Sequence, residues 1–160
     1  MAWYDDAHAL ALDLSPGDVW RGAGVIASYS PIVQWPRTVI LASDSLRSGV
    51  ARTDYLPVMV AQAQRILDGE PALSVLNGPK VRAFASAIAD PAGSEIATID
   101  RHAHDIAVGR VFSERERNIT KRKFRIMSEH YRQASFEVGV SVAQIQAVTW
   151  VRWRNEKRSP

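Results

Sequence analysis

Along most of this chain apolar residues return every third or fourth position, the spacing that gathers them on one face of an α-helix. Trp3, Ala7, Leu10, Ala11 and Leu14 set the first such stripe over residues 3–14; "SPGD" then stops the helix and leaves Asp18 to cap the next. "VWRGAGVIASYS" is apolar almost all round, which predicts a buried central helix ended by Pro31. A third helix is expected from Trp35 to Leu46, with Pro36 in its first turn, and a fourth over 55–67, stopped by "DGEP". The fifth, Pro79 to Ala89, gathers Val81, Phe84, Ala85 and Ile88 on one face. "DPAGS" reads as a loop and the short β-branched "EIATI" as extended, ahead of a helix from Arg101 to Val108. The longest helix is predicted over 113–138, with Phe124, Met127, Tyr131, Ala134 and Val138 as its apolar stripe. Ser141 and Gln144 form a capping box for a last helix over 142–155.

No repeat, low-complexity tract or linker interrupts this pattern. The expectation is one all-α domain spanning residues 1–160. The 46% hydrophobic and 23% charged composition supplies enough apolar surface for a core. Absence of cysteine excludes disulfides, cysteine-ligated zinc and iron–sulfur clusters. "MAWYDDAHALALDL" carries early acids and no basic leader, and no apolar run reaches the ~20 residues of a membrane helix, so a soluble cytoplasmic protein is expected. Net charge is only +3, but it is uneven: "RERNITKRKFR" (115–125) and "VRWRNEKRSP" (151–160) are locally basic. Such density suits either a polyanion such as nucleic acid or ordinary solvated helix faces.

Candidate chemistry concentrates in residues 76–109, "LNGPKVRAFASAIADPAGSEIATIDRHAHDIAVG". Gly78 permits a turn and Pro79 suits a first helical position, so Lys80 falls in a first turn, where the helix dipole disfavours a cation. A lysine there either answers a nearby anion, which the open amides of that turn also favour, or is a solvated surface residue. Asp100 falls at another helix start, where a carboxylate caps the N–H groups whether or not it has a second role.

"LNGPKVRAF…TIDRHA" resembles the core of the helix-hairpin-helix DNA glycosylase superfamily. That family carries a leucine–proline–glycine hairpin, a lysine shortly after, and an aspartate-x-histidine segment about twenty residues on. Leu76 and Gly78 match the hairpin, Lys80 the lysine, and Ile99-Asp100-Arg101-His102 the aspartate segment; "GVIASYSPIVQW" is similar to the helix and serine-containing loop upstream. The likeness covers about residues 20–110, leaving C-terminal helices over 113–155 outside it. The chain also resembles a group of phage and actinobacterial proteins with "GPKVR" and "TIDRHA" segments. The resemblance implies duplex DNA as partner, held by the hairpin amides with one base swung into a pocket. It implies Asp100 as the essential carboxylate and Lys80 as the amine nucleophile of a glycosylase or lyase, with Asn77, Gly78, Arg82, Arg101 and His102 on the DNA. No cofactor and no metal follow from it. Only one hairpin glycine remains: with a two-residue deletion Lys80 takes the lysine position, and without one Arg82 does, where an arginine cannot act as an amine nucleophile. Asp105 stands where the family has an arginine.

Other groups offer less. His102 and His104 are two apart and face different ways on a helix, so they make a poor metal pair. Trp150 and Trp153 alternate with Arg152 and Arg154, which suits base stacking or, more simply, a sealed core against the N-terminal helix. Tyr29, Gln34 and Trp35 follow the central helix and are candidates for a pocket mouth. The function expected is thus recognition or excision of an extruded base in DNA. The alternatives are a non-catalytic DNA-binding module of the same fold, a DNA base-modifying transferase, or a phage-type interaction or inhibitor protein.

Overall fold

The computed structural model describes residues 3–113 and 118–158, without the side chains of residue 101 and of residues 154–158. Its described residues are all-helical: α1 (Trp3–Leu14), α2 (Val19–Ser28), α3 (Trp35–Ser48), α4 (Pro57–Leu67), α5 (Ala72–Val75), α6 (Pro79–Ala89), α7 (Arg101–Val108), α8 (Lys121–Val138) and α9 (Val142–Arg158). The central position expected for α2 holds: it packs against α1, α3, α4, α5 and α6. Gly22 to Ser28 are all buried. Asp18 caps α2 by accepting from the Arg21 N–H at 3.0 Å.

Two apolar cores result. The first surrounds α2 and takes Tyr4, Ala7 and Ala11 from α1, Leu41 from α3, Ile66 from α4, Val75 from α5 and Ile88 from α6. The second gathers Ala97, Ile99 and Ala103 with Phe124, Met127 and Tyr131 of α8 and Val142 of α9. Helix α6 belongs to both, through Ile88 and Ala85 on one side and Ala83 on the other. Helix α9 reaches α1, as expected, with Ala143 and Ala147 in the first core.

The departures have local causes. Helix α4 starts at Pro57 rather than 55, because the residue before proline avoids helical angles, and Leu56 is extended. Helix α8 starts at Lys121 rather than 113: Thr120 caps it, its hydroxyl accepting from the Lys123 N–H at 3.2 Å. Val138 leaves the expected apolar stripe and is exposed, and Ser135 takes the buried place one turn earlier. Residues 95–99 run without helix or ladder. Their place is set by Gln146, whose side chain accepts from the Thr98 N–H at 2.8 Å and donates to the Thr98 carbonyl at 2.6 Å. The four-residue α5 has too few positions for a periodic pattern to reveal it.

Candidate nucleic-acid interface

Residues 76–79, where the resemblance implies a hairpin, form the turn that joins α5 to α6. Leu76 is fully buried and anchors it, while Asn77, Gly78, Pro79, Lys80 and Arg82 are exposed. Gly78 sits at φ +84°, a left-handed angle that a β-carbon disfavours, and is the N-cap of α6. It has no side chain to cap with, and Pro79 has no N–H, so the amides of Lys80 and Val81 open the helix without a side-chain acceptor. No acid stands in the first turn. The Arg82 Nε donates to the Leu76 carbonyl at 2.8 Å, which ties the hairpin closed from the C-terminal side.

Asp100 is placed differently. It is half-buried at the N-cap of α7, and its Oδ1 accepts from the backbone N–H of His102 at 2.9 Å and of Ala103 at 2.8 Å. Among the described residues two phenols feel its charge. Burial pushes Tyr131 up to about 12, and the negative charge of Asp100 adds to the rise. Tyr4 is raised likewise, mainly by burial, with Asp100 a smaller contributor. The Tyr4 hydroxyl meets Thr98 Oγ1 at 3.2 Å, and the Tyr131 hydroxyl donates to the Ala103 carbonyl at 3.4 Å. Neither tyrosine carries a signal in the sequence that would assign it to this carboxylate.

The remaining candidates divide. His102 is half-buried on α7; the side chain of Arg101 lies outside the described residues. His104 and Asp105 are both buried, 3.3 Å apart, with the His104 ring edge-on to Phe112, so Asp105 is an interior group where an arginine was the family expectation. Tyr29 corrects the reading of a pocket mouth. It is fully buried, its hydroxyl donating to the Arg52 carbonyl at 3.1 Å and lying 3.1 Å from Ser45 Oγ. Trp35 is half-buried against Trp3, rings 4.7 Å apart, and Gln34 is the exposed N-cap of α3 without a side-chain bond. Trp150 and Trp153 are half-buried on α9.

Two shallow depressions of about 300 and 360 Å³ lie on either side of Glu95 and Ile96, one toward Phe124 and Arg125, the other toward Trp20 and Ser86. Neither is lined by Lys80 or Asp100. A second basic turn, less visible as a site from sequence than as a charge run, opens α8: Lys121, Arg122, Lys123 and Arg125 are exposed. The second core contains both Ala83, one turn into α6, and Phe124, one turn into α8. Both basic turns therefore flank one apolar cluster. Among the described residues there is no group of three or more histidines or acids able to hold a metal, and no helix long and apolar enough to cross a membrane.

A family model described as "Family of unknown function (DUF7178)" matches residues 1–157, and the chain belongs to that family. No curated protein and no solved structure matches it.

Proposed function

We propose that this protein is a DNA-binding module that seats its α5–α6 hairpin on the phosphate backbone and performs no base chemistry. The observation that carries the reading is the exposed hairpin itself: uncapped amides at Lys80 and Val81, flanked by the Lys80 and Arg82 cations, with no acid in the first turn. Open amides at a helix start, the positive end of the dipole and two nearby cations are the elements that hold a phosphate. The basic start of α8 supplies a second contact along a polyanion. Binding is favoured over catalysis because Asp100 Oδ1 is committed to capping α7, accepting from two backbone N–H groups.

Fluorescence anisotropy with a labelled duplex, read across a salt series, tests this. Affinity is expected to fall linearly with salt on logarithmic axes, and Lys80→Ala or Arg82→Ala to flatten the slope by about one unit each. Asp100→Asn should bind as the unaltered protein does, since an amide oxygen still caps. Absence of binding at low salt, or binding indifferent to both cations, would refute the proposal.

Excision of a base at Asp100 is the second reading, favoured by the half-burial of that carboxylate at a helix start. Incubation with duplexes carrying uracil or oxidised pyrimidines distinguishes the two: base release abolished by Asp100→Asn would establish chemistry, and binding without release would leave the module alone.

A further inference from the structure

Helix α6 carries charges of the wrong sign for its dipole at both ends. Lys80 stands in its first turn, and Asp90 stands at its C-cap, on the negative end, with no basic residue in the last turn to answer it. Asp90 Oδ1 accepts from the Gly93 N–H at 2.8 Å, whereas Oδ2 has no hydrogen-bond partner among the described residues. This carboxylate borders the depression of about 360 Å³ that also meets Trp20, Ser94, Glu95 and Ile96. Trp20 is 41% exposed, where the other four tryptophans are half-buried. Ser94 is the most buried residue of the lining, 8% exposed, and its Oγ is shut off from solvent without a hydrogen-bond partner. A buried hydroxyl left in that state is a cost that folded chains ordinarily avoid. Among the described residues no lysine or arginine lines the depression. Arg132 feels the charge of Glu95, but it lines the other depression and is paired to Glu129.

From these features we infer that the depression at the end of α6 binds an aliphatic primary ammonium group, whether of a free amine or of a lysine side chain. Three demands converge on that chemistry. The two carboxylates and the helix end call for a cation. The Ser94 hydroxyl calls for a group that can donate an N–H to it. The Trp20 indole calls for a cation or an alkyl chain against its face, and Ile96 adds apolar surface for methylenes. A primary ammonium has three donors, enough for Asp90 Oδ2 and Ser94 Oγ together. A quaternary ammonium has the charge but no N–H for Ser94. A phosphate is repelled by both acids, so this site is separate from the basic turns assigned to DNA and stands without that reading. The volume lies at the low end for small-molecule pockets, which suits a chain of a few carbons. So few ligand atoms set a dissociation constant on the order of 1 mM.

Titration of the full chain with butane-1,4-diamine tests the inference, followed by the NMR signal of the Trp20 indole N–H, which is identified by its loss in Trp20→Leu. A saturable shift is expected. Ser94→Ala and Asp90→Asn should each weaken binding by about tenfold, and the asparagine still accepts from Gly93, so the turn is kept. Trp20→Leu, read by calorimetry, should weaken it by about two- to fivefold. Tetramethylammonium should bind more weakly than the diamine and be indifferent to Ser94→Ala. Ser94→Ala should also leave the urea midpoint unchanged or raised, because the hydroxyl it removes has no partner. Nα-acetyl-lysine methylamide separates the two sources: affinity equal to that of the diamine assigns the site to a lysine side chain, and weaker binding to a free amine. No saturable shift, a shift unchanged in Ser94→Ala and Asp90→Asn, tetramethylammonium equal to the diamine, or a lowered midpoint in Ser94→Ala would overturn the inference.

Discussion

Replacing Gly22 by alanine sets two well-characterised effects against each other, and the structure decides between them. In an unhindered helix the change is favourable, since alanine exceeds glycine in helix propensity by about 1 kcal/mol. At this position, however, α1 crosses α2 at contact distance. A Cβ built on Gly22 would lie 2.5 Å from the Ala11 carbonyl oxygen and 3.1 Å from both Ala11 C and Cα. These are backbone atoms of the last turn of α1, so no rotamer change relieves the clash. The helix must move outward by roughly 1 Å to restore an ordinary van der Waals separation. That shift loosens Tyr4, Ala7 and Ala11, all of which α1 contributes to the first core. Overpacking of this kind costs about 1–3 kcal/mol, and the rigidity of the obstacle puts Gly22 at the upper end. After the propensity gain the expected net loss is about 2 kcal/mol, near a 1 M fall in the urea midpoint for a chain of this size. Tryptophan fluorescence follows the transition, because Trp3 packs against Trp35 only when α1 is docked. Ala9→Gly, at an exposed position of the same helix, calibrates local propensity. If Gly22→Ala proves as stable as the parent, or more so, the close crossing of α1 and α2 is wrong.

Two further perturbations probe the second core. Gln146→Leu keeps the side-chain volume but leaves the Thr98 N–H and carbonyl buried without partners, at an expected cost of about 2–4 kcal/mol in chemical denaturation; an unchanged midpoint would mean that another group holds residues 95–99. Alkaline titration reports Tyr131, whose native pKa of about 12 stands above its ordinary 10.0. A raised acid keeps its proton longer in the native state than in the unfolded one, so stability is full below pH 10 and declines as pH rises toward 12. Two units correspond to about 2–3 kcal/mol from this residue, Tyr4 acting in the same direction. Tyrosinate absorbance combined with urea unfolding should show that decline, smaller in Tyr131→Phe; a flat profile would place Tyr131 in water.

Helix class and order were legible in the sequence because long helices repeat their apolar spacing over several turns. Proline and small polar residues marked most of their ends; Asp18, Asp100 and the Ser141–Gln144 pair cap as their types predict. What periodicity could not convey was depth. Tyr29 and Trp35 bracket the α2–α3 connection, yet one closes a buried hydrogen-bond set with Ser45 and Arg52 while the other packs on Trp3. Likewise Val138 has the spacing of the α8 stripe, but the helix ends there and Gly139 turns the chain away before the valine can reach the core. The pairing of Lys80 with Asp100 was an inference from motif, and local geometry explains each residue separately: one opens α6 toward solvent, the other caps α7 beside two tyrosines.

The hairpin draws its shape from below rather than from its own residues. A four-residue helix cannot persist unaided, because nucleation alone costs more than one turn returns. Helix α5 persists here through Ala72, Val75 and Leu76, all buried, while Leu73 and Ser74 face outward. Its seat is made by an absence: a Cβ on Gly24 of α2 would lie 2.5 Å from the Ala72 Cβ and 3.2 Å from Ile66 Cδ1. The glycine in the most buried helix thus lets α5 descend far enough for Leu76 to reach the core. That descent fixes where Gly78 turns and where the amides of Lys80 and Val81 point. Under the proposed function, an exposed basic loop built on such a base would be held in place before a phosphate arrives, sparing binding the entropy of ordering it. The residues that would touch DNA and the residues that would make them effective therefore lie about fifty positions apart in the chain, and only the second group is under the steric control of the core.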